Sequence, residues 1–587
     1  MKKIKSIKLI ISAILLIFTV NSCENFLQVM PKQVVDEALL TDDVEGFVTA
    51  AYAYIGFHPS WESPFSPWWT GSMRSDDSYK GGFGVADAGD GWGYMETFVN
   101  LTSNGWPLDS PWTFMYFHIQ RCNIAIWQME RVSEEEFPQK NVRIGEVKFL
   151  RAFLHFRLKQ FFKYIPYMDE TIEADTDYTT VPNRDSKYPD DMYLWEKILA
   201  DFKDAESRLP DTQPQKGRVD KNAATAMVAR TLMFMAYEQN ENHQVKNINR
   251  ERLAEALTYV NKLTDQEGGK LGLCDDFAYN FVPESDNNTK ESIWELQFSI
   301  NDGSSRGGKV NWGEGLNHPH GGWAGFQCCG FHHASYTMGN AFKTTPEGLP
   351  MFDDYNQRSY AEERDVYFTK YTFDPRFSHT IVVPGHPWKY NPELLFEERA
   401  IRGIADYGYF KSVKELPPPD CGCLLLTGWQ FNSMNKRMIR YDEVLLWKAE
   451  ILIQLDRHNE ALEPINKVRQ RAANSTARLV MADGSPIMNY KCEIYKPGVN
   501  CNWTKEFAWK AMEWENRLEM ACEGRRFFDL QRWGTLEKTM NDYFQIEKNR
   551  FAWMSIARFT AGRDEFFPIP QTQINLVKGV YTQNVGY

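Results

Sequence analysis

Residues 441–472 read YDEVLLWKAEILIQLDRHNEALEPINKVRQRA, and their apolar side chains recur at helical spacing in two blocks. Val444, Leu445, Ala449, Leu452 and Ile453 form one stripe; Ala461, Leu462, Ile465 and Val468 form the next. The polar linker LDRHNE between them allows only an antiparallel return, so the stretch predicts a helical hairpin. Ala449 and Ala461 stand where the facing helices need close approach, with long side chains around them. A pair of this kind leaves apolar faces uncovered and requires neighbours.

The spacing is that of a tetratricopeptide-type pair, and the rest of the chain supplies candidates for its neighbours. Amphipathic periodicity predicts helices over 114–129, 143–168, 192–210, 217–238 (with Asp220 as its cap), 251–266 and 503–528. An earlier helix is expected from Asp42 to Ile55, with Thr41 as its N-cap. Two stretches break the pattern. Residues 57–112 and 271–426 are rich in Gly, Pro and aromatics, and the second holds one strand-like run, ESIWELQFSI. The expected fold is mostly α: stacked helical pairs with an irregular, loop-rich lobe of little β structure inserted between them.

The amino terminus is a targeting segment. Lys2, Lys3, Lys5 and Lys8 precede an apolar run from Leu9 to Val20 that is too short to span a bilayer, so residues 1–22 read as a signal peptide. Asn21-Ser22-Cys23 at the cleavage point resembles a bacterial lipobox, in which Cys23 would carry acyl chains and hold the protein on a membrane by a lipid anchor only. Removing the leader takes away four lysines and no acids, moving the formal charge from −12 to −16. A balance that acidic argues against nucleic acid, which needs a basic footprint. Nine further cysteines, scattered over a long chain, do not make a disulfide scaffold; Cys328/Cys329, Cys421/Cys423 and Cys492/Cys501 are the nearest in sequence.

Aromatic residues make up 14% of the chain, and six of its 19 tryptophans, Trp61, Trp68, Trp69, Trp92, Trp106 and Trp112, fall in the first aperiodic stretch. The segment KGGFGVADAGDGWG at 80–93 reads as loop, which places rings on loops, either as anchors tucked into the core or as binding platforms. Sugar rings stack their C–H faces on such planes while their hydroxyls seek Asn, Asp, Arg and Gln.

A series of strings, in order, resembles the SusD/RagB family of outer-membrane nutrient-binding lipoproteins. They are a short tail and helix ending AAYAYI after Cys23; Gly145, Glu146, Phe149, Leu150, Arg151, Ala152 and Pro166; Gly217, Arg218, Ala223, Ala224 and Arg230; and Glu519, Glu523, Gly524, Arg526, Phe527, Phe528, Asp529, Leu530, Arg532, Trp533 and Gly534. The ending PIP…QNVGY matches too, with Val585 where proline is commoner. The resemblance spans residues 23–587 as a single domain. It implies a right-handed α-α superhelix of about four tetratricopeptide-like pairs, a ligand-facing lobe built from 57–112 and 271–426, and a SusC-like TonB-dependent transporter as partner. It also implies an outer-membrane, cell-surface location and capture of an oligo- or polysaccharide. The family's two site regions put Trp68, Trp69, Arg74, Asp76, Trp92, Asn100, Trp312 and Trp323 forward as glycan contacts, so alanine at Trp92 or Trp323 is expected to weaken binding without altering the melting temperature. Peptide uptake in the manner of RagB is the alternative ligand class.

No catalytic constellation is expected: H-E-x-x-H and P-loop strings are missing, and Glu513/Glu515, two apart on a helix, face different ways. A secreted glycoside hydrolase is the less favoured rival. No cofactor is expected. His318, His320, Cys328, Cys329, His332 and His333 gather metal-ligand types, but adjacent cysteines with no CxxC do not fit structural zinc, and a glycine-rich surface loop is the expectation.

Overall fold

The computed structural model describes residues 43–587 apart from 54, 57, 59, 173–177, 185–190, 304–307 and 428. The signal peptide, Cys23 and the expected helix start at Thr41 and Asp42 lie outside the described residues. Packing makes residues 48–587 one unit, to which the contacts below belong.

The principal helices are α1 (Val44–Tyr52), α2 (Asp90–Thr97), α3 (Asp109–Glu130), α4 (Lys140–Phe162), α5 (Met192–Arg208), α6 (Lys221–Ala236), α7 (Arg250–Thr264), α8 (Tyr441–Gln454), α9 (Leu462–Asn474), α10 (Lys505–Glu519), α11 (Arg526–Trp533) and α12 (Leu536–Glu547). From α3 to α10 each helix packs on the next, giving four consecutive pairs and the expected superhelix. The opening hairpin is α8–α9, and Ala449 and Ala461 are fully buried in it. Asp220 caps α6 by accepting from the Ala223 amide at 3.0 Å. The family-like residues on α4 are structural: Arg151 donates from two nitrogens to both oxygens of Asp201 at 2.8 and 2.9 Å, tying α4 to α5, and buried Glu146 accepts from Arg218 at 2.8 Å.

Between α7 and α8 the chain leaves the superhelix and returns to it, yet the two helices pack on each other. Six strands matter here: β1 (Ser78–Gly81), β2 (Ser292–Leu296), β3 (Phe331–Ala334), β4 (Ile381–Val382), β5 (Lys411–Ser412) and β6 (Lys436–Arg440). Antiparallel β2 and β6 form the neck of the excursion. A four-stranded antiparallel sheet, ordered β1-β3-β5-β4, joins the first aperiodic stretch to the second. The lobe therefore holds more strand than the single run expected, because pieces of two to four residues are too short to show an alternation in sequence.

The helix expected over 503–528 is two helices, broken between Met520 and Arg525. The break gives its amides to the lobe: Cys522 N donates to Asp77 and Gly524 N to the Ser72 hydroxyl, both at 3.1 Å. Gly524 has φ +72°, and a Cβ there would lie 2.8 Å from Pro67 Cα, so backbone meets backbone where only glycine fits. Around this seam lies a buried charge network. Arg376 meets Asp374, Glu515 and Glu519; Arg471 meets Glu291, Asp442 and Glu519; Arg440 meets Asp442 and Glu523; Arg469 meets Glu515 and Lys414 meets Glu523. The string carrying Glu519 and Glu523 is thus a charge lock between superhelix and lobe.

Candidate functional site

The loop after β1 turns tightly through Gly81, Gly82 and Gly84, all at positive φ, and brings Phe83 to the surface at 70% exposure. Its backbone is held from below. Lys80, fully buried, donates from Nζ to the carbonyls of Gly84 and Asp87, both at 2.9 Å, and its amide donates to Glu96 at 2.6 Å. Burial pushes the Lys80 amine down and the Glu96 carboxyl up from their ordinary values.

The loop runs into α2, which begins inside the glycine-rich segment expected to be non-helical. Gly91 and Gly93 permit it: a Cβ on Gly91 would fall 1.8 Å from the Trp106 carbonyl, and one on Gly93 2.7 Å from Val85. That close approach buries Trp92 completely and leaves Trp106 above it, 46% exposed, its ring 5.2 Å from that of Trp92. Below, Trp92 lies 5.1 Å from Trp68 and 5.4 Å from Trp69. The four indoles form a column from core to surface, and Trp106 is its outer end.

Further loops close around this platform. Gly403 abuts the Gly82 carbonyl and Phe83 Cα, and Trp553 donates from its indole to the Asp406 carbonyl at 2.9 Å. Half-buried Trp553, exposed Ile556 and exposed Asn100 stand on neighbouring loops, linked where Arg558 N donates to the Thr97 carbonyl. Flat apolar rings beside backbone carbonyls and a few polar side chains suit a ligand with alternating C–H faces and hydroxyls.

The residues singled out from sequence divide sharply. Trp68 and Trp69 are fully buried and donate to the Lys80 and Ser63 carbonyls. Arg74 is buried between the rings of Phe527 and Phe567 at 3.9 and 3.8 Å, and burial pushes its guanidinium down to about 9. Asp76 is buried against Arg517 and Arg526 at 2.7 and 3.0 Å. Trp323 is packed among Trp388, Phe326 and Phe396. These side chains shape the lobe from inside and are buried, so alanine at Trp92 or Trp323 is expected to cost stability rather than spare it. Trp312 is half-buried over Phe431, and Asn100 is exposed. Phe83 escaped the sequence reading, although a phenylalanine between glycines was the available signal.

The His/Cys cluster is not a surface loop either: His318, His332 and His333 are buried, and Cys328 is bonded to Cys329 and Cys421 to Cys423. Cys492 and Cys501 are free thiols. Among the described residues, the grouping with metal-ligand spacing is Glu291, Asp442 and Glu519, and Arg376, Arg440 and Arg471 already neutralise it. Glu515 is buried on Arg376 and Arg469 while Glu513 is partly exposed, as their spacing requires.

Two family models match the chain: one for the SusD family over residues 426–587, and one described as starch-binding associating with outer membrane over residues 88–233. The SusD-like protein P2 of Formosa agariphila is 22% identical over 480 residues, 81% of this chain and 80% of that protein. Among solved structures, a SusD-like protein from Bacteroides fragilis superposes with TM-score 0.67 at 18% identity, over 94% of this chain and 99% of the other. Surface glycan-binding protein A from Bacteroides thetaiotaomicron, in complex with laminarihexaose, does so with TM-score 0.57 at 19% identity, over 92% and 98%. With family models matched in both halves of the chain, SusD-like curated relatives and SusD-fold structural neighbours, the chain belongs to the SusD/RagB family.

Proposed function

We propose that the protein is a cell-surface lipoprotein that captures an oligo- or polysaccharide and delivers it to a TonB-dependent outer-membrane transporter, with no covalent chemistry of its own. The observation that carries this reading is the pair of exposed rings, Phe83 and Trp106, set on loops whose backbones are anchored in the core. Rings fixed before the ligand arrives stack on sugars without a large ordering cost. The described starch-binding model and the laminarihexaose-bound neighbour support the same class. Beside the platform, Arg402 is paired with Asp87.

The test is titration of residues 24–587 with neutral glycans including laminarihexaose, acidic glycans and mixed peptides, followed by calorimetry. Phe83→Ala and Trp106→Ala are each expected to weaken binding about tenfold, the loss of one ring's stacking area, with the melting temperature held. Binding of peptides alone would transfer the protein to the peptide-uptake class. Glycan binding untouched by both changes would move the site elsewhere.

The anchor is tested separately. Cys23→Ala is expected to shift the protein from the membrane pellet to the soluble fraction, since two or more acyl chains are what hold such a protein stably on a membrane. Loss of the transporter from a pull-down of intact complexes in that variant alone would mark the anchor as part of the delivery step. An unchanged pellet fraction would refute lipidation at this cysteine.

A further inference from the structure

Phe83 is the most exposed ring of the platform, at 70% exposure, so little of its side chain is packed. What holds it is a chain of polar contacts. The Phe83 amide donates to Asp87 Oδ2 at 2.7 Å; the same oxygen meets Arg402 Nη1 at 3.0 Å; and Arg402 Nη1 also donates to the Cys329 carbonyl at 3.2 Å. Gly82 N completes the closure by donating to the Gly330 carbonyl at 2.9 Å. Three segments, 81–89, 328–330 and 402–403, therefore meet at one guanidinium. Neither partner is fully open to water, with side-chain exposures of 27% for Arg402 and 20% for Asp87, so the pair is less screened than a surface bridge.

We infer that Arg402 and Asp87 are a positioning pair: they do not touch the glycan but hold the Phe83 turn in the form that stacks on it, so the ligand meets a ring already in place. The inference rests on the reading of this patch as the glycan site. A guanidinium can serve both acceptors from one nitrogen plane, whereas a lysine ammonium reaching the same distance is a point charge with no fixed fork. Removal of the pair takes away the tether at Phe83 while Lys80 still holds the Gly84 and Asp87 carbonyls, so the ring gains freedom that the ligand must then remove on binding.

The experiment is a double-mutant cycle on residues 24–587 with the tightest-binding glycan of the panel, comparing Arg402→Met, Phe83→Ala and the double variant. Arg402→Met alone is expected to weaken binding about fivefold, with Arg402→Lys recovering part of the loss; on the Phe83→Ala background it is expected to cost nothing further, because the ring it positions is gone. Amide exchange at Phe83 should quicken in Arg402→Met while exchange in α4 and α8 stays as it was, a change that a global loss of stability would not produce. Asp87→Asn, which keeps the side chain's shape, should repeat the result and replaces Arg402→Met if that variant does not fold.

An equal cost of Arg402→Met in both backgrounds would overturn the inference by placing Arg402 on the ligand itself, and no cost in either would overturn it by making the bridge irrelevant. If Phe83→Ala and Trp106→Ala leave glycan binding intact, the reading of the patch fails, and the positioning role falls with it.

Discussion

Arg376→Met is expected to lower the unfolding free energy by about 3–5 kcal/mol, read from denaturant midpoints of the soluble chain. Arg376 and all three of its partners, Asp374, Glu515 and Glu519, are fully buried. Methionine fills much of the volume but leaves carboxylates facing one another in a low-dielectric interior, which costs more than the ion pairs themselves contribute. Asp442 in the same network should behave differently. Burial, opposed by Arg440 and reinforced by Glu291 and Glu519, leaves its carboxyl well above the usual range. With Asp442 protonated, Arg376, Arg440, Arg469, Arg471 and Lys414 face Asp374, Glu291, Glu515, Glu519 and Glu523, and the charges balance.

Asp442→Asn is therefore expected to cost about 1 kcal/mol or less at neutral pH, because an amide resembles the protonated acid. The pH dependence has two branches. Burial alone would raise Glu519, but Arg471, the hydrogen bond with Asp442, Arg376 and Arg440 hold it far below the ordinary range; its contribution is present above that range and lost as pH falls through its folded value. Asp442, raised, contributes below the ordinary carboxylate pKa and loses that contribution as pH rises through its folded value. Asp442→Asn should remove the second branch and keep the first. A cost equal to that of Arg376→Met would refute the balanced-charge account.

Trp92→Ala is expected to cost about 3–5 kcal/mol, the usual loss on removing a large aromatic from a close-packed interior, and to weaken glycan binding only as a consequence. Its ring contacts Trp68, Trp69 and Trp106, so the cavity would open directly beneath the platform. The comparison with Trp106→Ala is informative because the two rings touch. One change should move the melting temperature and the other the dissociation constant. A Trp92→Ala chain with wild-type stability and lost binding would show that the column opens to admit ligand.

Helices such as α5, α7, α9 and α10 were legible because burial on one face imprints a period, whereas α4, α6 and α8 are buried nearly all round. The fate of a ring in a loop carries no such imprint. Trp92 and Phe83 both sit among glycines, yet one is fully buried and the other 70% exposed. The difference depends on whether a distant segment, here the Trp106 backbone over Gly91, closes above the ring. The role of Arg74 and Asp76 was equally invisible locally, since their partners Phe527, Phe567, Arg517 and Arg526 lie more than four hundred positions away. Glu519 could be read as part of a signature but not as a lock, because Asp374 and Arg376 belong to a stretch with no periodicity.

The neck formed by β2 and β6 also governs the order in which the chain can assemble. Helices α3 to α7 can zip together by nearest-neighbour contacts as soon as each is available. Helix α8 cannot join them until the whole excursion has been threaded and its ends brought side by side. Loop-closure entropy grows only slowly with length, so this step adds little to the equilibrium cost and much to the contact order. The chain is thus expected to reach its native state in two waves, an amino-terminal array first and a carboxy-terminal array that waits for the lobe, with the Arg376–Glu519 contact among the last to form.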